Sequence, residues 1–207
     1  MKDGIMCKIV SFAYILPNME ELNTYISNTD YSGIKSFFLE RGKKQVFQRK
    51  EYFVQQNAVS LYAGYIEKGI FHYSRTDCSG KEHIVGFSFE NEFICDYSSF
   101  IKRTESLVNI CALTECTVYL ISLNDYLEYA NTIQNGSHFG FRVANELFDM
   151  YYKRLLALYC ESPEQRYISL MKQCPDLKEK IPLKQIASFI GVSPETISHI
   201  RKKLLFD

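Results

Sequence analysis

Tryptophan is absent from the 207 residues, proline occurs five times, glycine ten times, and the basic and acidic side chains balance at 24 each. The balance excludes a uniformly basic nucleic-acid coat. It leaves room for a local basic face, because what matters is the field at the contact surface. The apolar segment Ile9 to Leu16 is far shorter than the roughly 20 residues a membrane-spanning helix needs. Asp3 spoils a basic leader and no small-residue cleavage site follows, so no secretory signal or membrane partner is expected. The seven cysteines, Cys7, Cys78, Cys95, Cys111, Cys116, Cys160 and Cys174, are odd in number and show no CxxC spacing or N-terminal cluster. That pattern predicts reduced thiols in a cytoplasmic protein, without disulfides or an iron–sulfur site. Cys111 and Cys116 read as small buried residues on opposite sides of one strand. His72, His83, His138 and His199 are too dispersed for a metal site, and no nucleophile–base pair stands out. No catalytic residue, metal or cofactor is predicted, and the chain does not read as an enzyme.

What is present is an ordinary globular composition, with 15 Tyr and 15 Phe among its apolar residues. These aromatics fit core and dimer-seam roles better than base-stacking platforms. Met19 to Glu40 has helical apolar spacing, interrupted by turn-like Asn28-Thr29-Asp30 and Ser32-Gly33. From Lys44 to about Leu123 the pattern changes to short runs of β-branched and aromatic residues: 46–47, 52–54, 59–66, 70–74, 83–89, 107–113 and 117–123. Asp77-Cys78-Ser79-Gly80 reads as a hairpin loop. His72 and His83 fall in strands and read as surface or strand-pairing residues. Many short strands at regular spacing predict a sandwich or barrel, and the helices around them make the fold class α+β.

Asn124 to Thr132 predicts a short helix, broken near Asn135-Gly136. Beyond it Phe141, Ala144, Phe148, Tyr151, Leu155 and Leu158 alternate at three and four, an a/d heptad seam. Val143, Leu147 and Met150 form a second apolar line. A helix with two apolar faces must bury both, so one is expected on the β domain and the other on an identical helix of a second copy. The bland alternative is a helix buried within a monomer. Ser162-Pro163-Glu164-Gln165 is a capping-box signal that restarts a helix, which ends by Cys174-Pro175.

The stretch Leu183 to Lys203 carries the strongest signal. Leu183, Ile186, Ala187 and Ile190 give a first helix one apolar face. Gly191 supplies the left-handed conformation that ends a helix cheaply. Val192 can plug the gap, Ser193 can cap the next helix, Pro194 suits its first turn and Glu195 its N-terminal end. Ile197, Ile200 and Leu204 form the second helix's buried face. The remaining Glu195, Thr196, Ser198, His199, Arg201, Lys202 and Lys203 match a recognition helix, with base-reading groups first and phosphate-binding cations last. Glu195 can accept from cytosine N4, His199 can donate to guanine, Ser198 is permissive and Thr196 suits a phosphate. Apolar spacing alone would fit any αα-hairpin. The joint match of Ala187, Gly191, Val192, Ile197 and Ile200 with a cationic end points to a helix-turn-helix that reads duplex DNA.

A β-rich first domain, a long seam helix and a helix-turn-helix in this order resemble the Crp/Fnr superfamily of bacterial transcription regulators. The resemblance covers about Met19 to Phe206, and Glu90-Asn91-Glu92-Phe93 with Glu161 to Tyr167 resembles a Bacteroidetes subgroup. It implies an N-terminal cyclic-nucleotide-binding-like β-roll of jelly-roll type, a dimerisation helix and a winged-helix-like C-terminal unit. The implied partners are double-stranded DNA, a second copy of the chain and RNA polymerase. It divides the chain into an N-terminal extension (1–18, with Met19 a workable alternative start), the roll with its helix (19–123), linker and dimerisation helix (124–161), and the DNA-binding domain (162–207). The family's phosphate cassette carries Gly-Glu and, about ten residues later, Arg-Ser. Here the matching positions are Cys95, Asp96, Glu105 and Ser106. An acid replaces the Arg whose charge-assisted bonds would hold a cyclic phosphate. Tyr52 and Asn57 also stand where family glycines are usual. Cyclic AMP is therefore rejected, and the effector, if the roll takes one, is an unidentified molecule better uncharged or cationic. In the recognition helix Glu195 and Thr196 keep the family pattern, while Pro194 and His199 depart from it. Two other functional classes fit less well: a protein-interaction scaffold built on the same helices, and a cupin-type enzyme, which would need clustered metal ligands.

Overall fold

The structure, a computed structural model, describes residues 22–23, 30–132 and 136–205. The proposed extension 1–18, most of the expected helix before Asp30, and Asn135 at the expected break lie outside these residues. Helix α1, Ser32–Arg41, precedes the strands β1 Lys43–Phe47, β2 Tyr52–Val54, β3 Tyr62–Lys68, β4 Phe71–Thr76, β5 Glu82–Ser88, β6 Phe93–Ile94, β7 Asn109–Ala112 and β8 Cys116–Ser122. A short helix α2, Tyr97–Lys102, lies between β6 and β7. The strands form two antiparallel four-stranded sheets, ordered β1-β8-β3-β6 and β2-β7-β4-β5. Ser32 and Gly33, expected as an interruption, instead open α1, and the Asp30 carboxylate accepts from the Ser32 amide.

Strand β8 shows why the sheets face each other. Cys116, Val118 and Leu120 are buried at period two, while Thr117 and Tyr119 between them are half-exposed. They meet Phe47, Val54, Ile66, Phe71, Ile94, Ile110 and Ala112 in the core of the roll. Cys111 and Cys116 are both buried, but they belong to β7 and β8 and not to one strand, because a tight connection separates them. At Gly69 (φ +103°) between β3 and β4, a Cβ would lie 2.6 Å from the Cys116 sulfur and the Glu115 carbonyl, so this turn requires glycine. Asn57 holds φ +69°, a left-handed conformation that asparagine tolerates better than most side chains.

Each sheet buries its outer face differently. Ile34 and Phe38 of α1 pack with Ala63, Tyr65, Phe100 and Ile121 over the first sheet. Ile84 and Phe87 on the second sheet join Leu22 and the C-terminal helices in another core. His72 pairs with Phe87 on that second outer face and is buried, so of the two expected readings it is a strand-pairing residue and not a surface one. The reason is that a helical unit covers this side of the sheet, which strand periodicity cannot reveal. Burial lowers the His72 pKa, opposed by the Glu82 carboxylate 3.6 Å from Nε2. A depressed folded-state pKa means that the unfolded chain takes the proton first. The contribution is therefore full above the ordinary histidine pKa and is lost as pH falls through the lowered one. Urea midpoints should drop from pH 7 to pH 5, and less steeply in His72→Gln; equal slopes for both proteins would refute this.

Helix α3, Leu123–Thr132, leads to the long helix α4, Gly136–Cys160. Val143, Leu147 and Met150 are half-buried on α4. Phe141, Phe148, Tyr151, Leu155 and Leu158 of the heptad line are 42 to 65 % exposed, and Ala144 is exposed too, although the Tyr151 hydroxyl turns back toward the roll, where burial raises its pKa, and Leu158 lies beside Gly191. After α4 come α5 Pro163–Gln173, α6 Leu177–Lys180, α7 Leu183–Ile190 and α8 Pro194–Lys203. The capping box is present: Ser162 accepts from the Gln165 amide while the Gln165 side chain accepts from the Ser162 amide. Among the described residues from 163 on, all regular structure is helical, so the winged-helix likeness rests on the helix-turn-helix alone.

Candidate nucleic-acid interface and phosphate cassette

The helix-turn-helix is built as its residues dictate. Ile186, Ala187 and Ile190 of α7 and Ile197 and Ile200 of α8 are buried together with Tyr167, Leu170, Leu177 and Ile181. Gly191 ends α7 at φ +75°, and its amide and the Val192 amide bond back to Ser188 and Ala187 carbonyls. Ser193 caps α8 by accepting from the Thr196 amide. Leu204 lies just past the helix and is exposed, so the apolar face of α8 ends at Ile200.

This packing turns one face of α8 outward. Pro194, Glu195, Ser198, His199 and Lys202 line an open depression of about 350 Å³. Hydrogen bonding to Ser193 holds the Glu195 carboxyl below its usual range, so at neutral pH it is a pure acceptor. The Ser198 hydroxyl donates to the Pro194 carbonyl and the Thr196 hydroxyl lies 3.2 Å from that of Ser193. Both keep lone pairs, but their orientation is set by the helix. Arg201 is exposed beside this face. Lys203 reaches the other way, to Glu164 of α5 at 2.9 Å. Its pairing across α8 and α5 is tertiary and invisible in the sequence run Arg201-Lys202-Lys203.

The cassette is a second place where predicted residues meet. Asp96 caps α2, accepting from the Ser99 amide at 3.2 Å. The Ser106 hydroxyl lies 2.8 Å from the other Asp96 oxygen and 2.7 Å from the Val108 carbonyl. Ser106 is fully buried. Cys95 is half-buried, and desolvation pushes its thiol up to about 12, which keeps it protonated. Glu105 is exposed and bridges to Val59 through the backbone. Asp96 and Glu105 line an open cavity of about 640 Å³ with Val59, Ser98, Ser99, Arg103, Thr104 and Leu107; Cys95 and Ser106 are not in its wall. Sequence reasoning missed Arg103. It sits in a left-handed conformation after α2 and donates to the Ser60 and Leu61 carbonyls at 3.1 and 3.3 Å. The only local signal is its place at a short helix end, which resembles any surface loop.

Residues 44–140 match the family model of the cyclic nucleotide-binding domain. FixK2 from Bradyrhizobium japonicum superposes with TM-score 0.68 at 12 % identity, over 80 % of this chain and 85 % of that one. The c-di-GMP responsive global regulator CLP of Xanthomonas campestris gives 0.63 at 16 % identity, over 86 % and 93 %. A Eubacterium rectale protein described as a regulator of the Crp/Fnr family gives 0.64 at 13 % identity, over 87 % and 85 %. The fold is that of the Crp/Fnr transcription regulators. No curated protein sequence matches the chain. Within the Crp/Fnr fold, the roll, the long helix and the helix-turn-helix occupy the order that the sequence resemblance implies. No described helix is long and apolar enough to cross a membrane.

Proposed function

We propose that the chain is a homodimeric, sequence-specific DNA-binding transcription regulator whose roll does not take cyclic AMP. One observation carries the first half. Glu195, Ser198, His199 and Lys202 share an exposed face of a helix whose opposite face is buried by Ile197 and Ile200. Such a helix fits the major groove, with Glu195 and His199 toward base edges and Arg201, Lys202 and the displaceable Lys203 toward phosphates. The exposed α4 seam is the surface for the second copy, since half-site readers work as two-fold pairs. RNA polymerase follows as the partner of a regulator bound at a promoter. The domain division at 19–123, 124–161 and 162–207 belongs to this reading.

The cassette supports the second half. Asp96 and Ser106 satisfy each other and the local backbone. A cyclic phosphate would have to break these bonds and approach Glu105 where the family has its Arg, while Arg103 in the same cavity wall is held by the Ser60 and Leu61 carbonyls through Nη1. Charge-assisted bonds of that kind are worth about 1.5–3 kcal/mol each, so their loss and the added repulsion remove the family's main anchor. An effector for the roll, if it takes one, is uncharged or cationic.

The test is selection of random duplexes by the purified protein without added ligand, which should recover a two-fold symmetric motif. Lys202→Ala should weaken binding to all sequences and flatten the salt slope by about one. Glu195→Ala should blur preference at one position of each half-site. Recovery of no duplex at low salt would refute the regulator and favour a protein-interaction scaffold. Titration calorimetry with cyclic AMP should show no saturable heat; saturation would refute the cassette reading.

A further inference from the structure

A β-bulge interrupts the pairing of β4 with β5. Tyr73 stands opposite Gly86 and Ser74 opposite Ile84, so Val85 has no partner. A bulge leaves backbone groups out of the ladder, and buried groups of that kind must find bonds elsewhere. Here two groups turn away from β4 and both are met from outside the roll. The Ile84 amide donates to the Ser188 hydroxyl of α7 at 2.9 Å. The Val85 carbonyl accepts from Nη1 of Arg154 on α4.

Arg154 completes the junction. Its Nη2 donates to the Phe189 carbonyl at 2.9 Å, and its guanidinium lies 3.6 Å from the centre of the Phe189 ring. Phe189 is in the last turn of α7, where carbonyls lack helical partners and a cation is favoured. The Phe189 ring also packs 5.3 Å from that of Phe87 on β5. Desolvation lowers the Arg154 pKa to about 10, which leaves it charged at neutral pH. A single planar fork therefore joins the roll, the seam helix and the helix-turn-helix. Lysine has one ammonium and cannot bond both carbonyls while stacking on the ring.

We propose that this bulge is a docking socket for the helix-turn-helix unit, and that Arg154 is the positioning residue that sets α8 relative to the α4 seam. In a dimer joined along α4, that setting determines the separation of the two recognition helices and hence the half-site spacing. The spacing consequence rests on the proposed dimeric DNA reading; the docking itself does not.

Hydrogen exchange of the full chain tests the docking. The Ile84 amide should be protected in the wild type, and Arg154→Ala and Ser188→Ala should each speed its exchange by about tenfold, the loss of one bond's worth of stability. Arg154→Lys should not restore protection, and exchange in β8 should be unchanged in all three. Unaltered Ile84 exchange in Arg154→Ala and Ser188→Ala overturns the socket. Duplexes carrying the selected half-sites at varied spacing test the positioning. The wild type should prefer one spacing, and Arg154→Ala should accept neighbouring spacings with the same half-site sequence. An unchanged optimum overturns the positioning role. If the wild type binds no duplex, the DNA reading falls while the exchange result still decides the docking.

Discussion

Aspartate at both Phe148 and Leu155 should make the protein monomeric and weaken its hold on a two-fold DNA site by about 10²- to 10⁴-fold, the usual gain from linking two binding modules. Both side chains lie on the open side of α4, 65 and 48 % exposed. Inside one chain they support little beyond the stacking of Phe148 on Tyr152, so the substitutions should leave the roll and the helix-turn-helix folded. Across a two-fold axis each would meet its own counterpart or a heptad neighbour. Four carboxylates would then have to be buried in an apolar seam, which costs far more than the seam returns. Sedimentation should show the wild type as a dimer and the double variant as a monomer. Circular dichroism should overlay, and a single half-site should still bind weakly. A double variant that remains dimeric would place the interface elsewhere.

Ile197→Ala should destabilise the C-terminal unit by about 2–5 kcal/mol, the range for truncating a buried branched side chain. Ile197 is fully buried at the point where α8 closes on Ile186, Ala187 and Ile190. Domains hold only about 5–15 kcal/mol in total, and this helical unit is small, so such a loss removes most of its margin. The roll has its own core between two sheets and should survive. Thermal unfolding should split, with an early helical transition and a later one for the β-sheets, and DNA binding should vanish at the temperature of the first. Ser198→Ala on the exposed face of the same helix should leave both transitions within about 0.5 kcal/mol, as surface changes do. A single unshifted transition in Ile197→Ala would mean that the side chain carries no structural weight.

Both predictions rest on features legible in the sequence, because they are local and periodic. The three–four spacing of Phe141 to Leu158 requires a helix with an apolar stripe wherever that helix lies. The run from Ile186 to Ile200 carries its own turn residue, cap and apolar faces within a few helical turns. The capping box at Ser162 is complete within four residues. Hydrogen-bond and steric demands met by near neighbours leave a pattern that can be read without the fold.

Short or mixed elements were not legible. Strand β6 is two residues long and α6 four, too few to show a period. What only tertiary structure decided are encounters between distant residues. His72 looks like any strand histidine until a helical unit covers its sheet. Lys203 reads with Arg201 and Lys202 as one cationic run until α5 brings Glu164 to it. Asp96 and Ser106, ten residues apart, look like an impaired phosphate site, and only the bend through α2 lets one carboxylate cap a helix and meet that hydroxyl. The Val85 bulge leaves no trace in side-chain pattern, since it is a misfit of backbone register between β4 and β5. Arg154 acquires its bonds to Val85 and Phe189 only when three parts of the chain converge. The sequence alone therefore determined the parts and the outward polar face of α8, through local periodicity and turn chemistry. Tertiary structure alone decided how the parts are held together, because those bonds join backbone groups and side chains that no spacing rule relates.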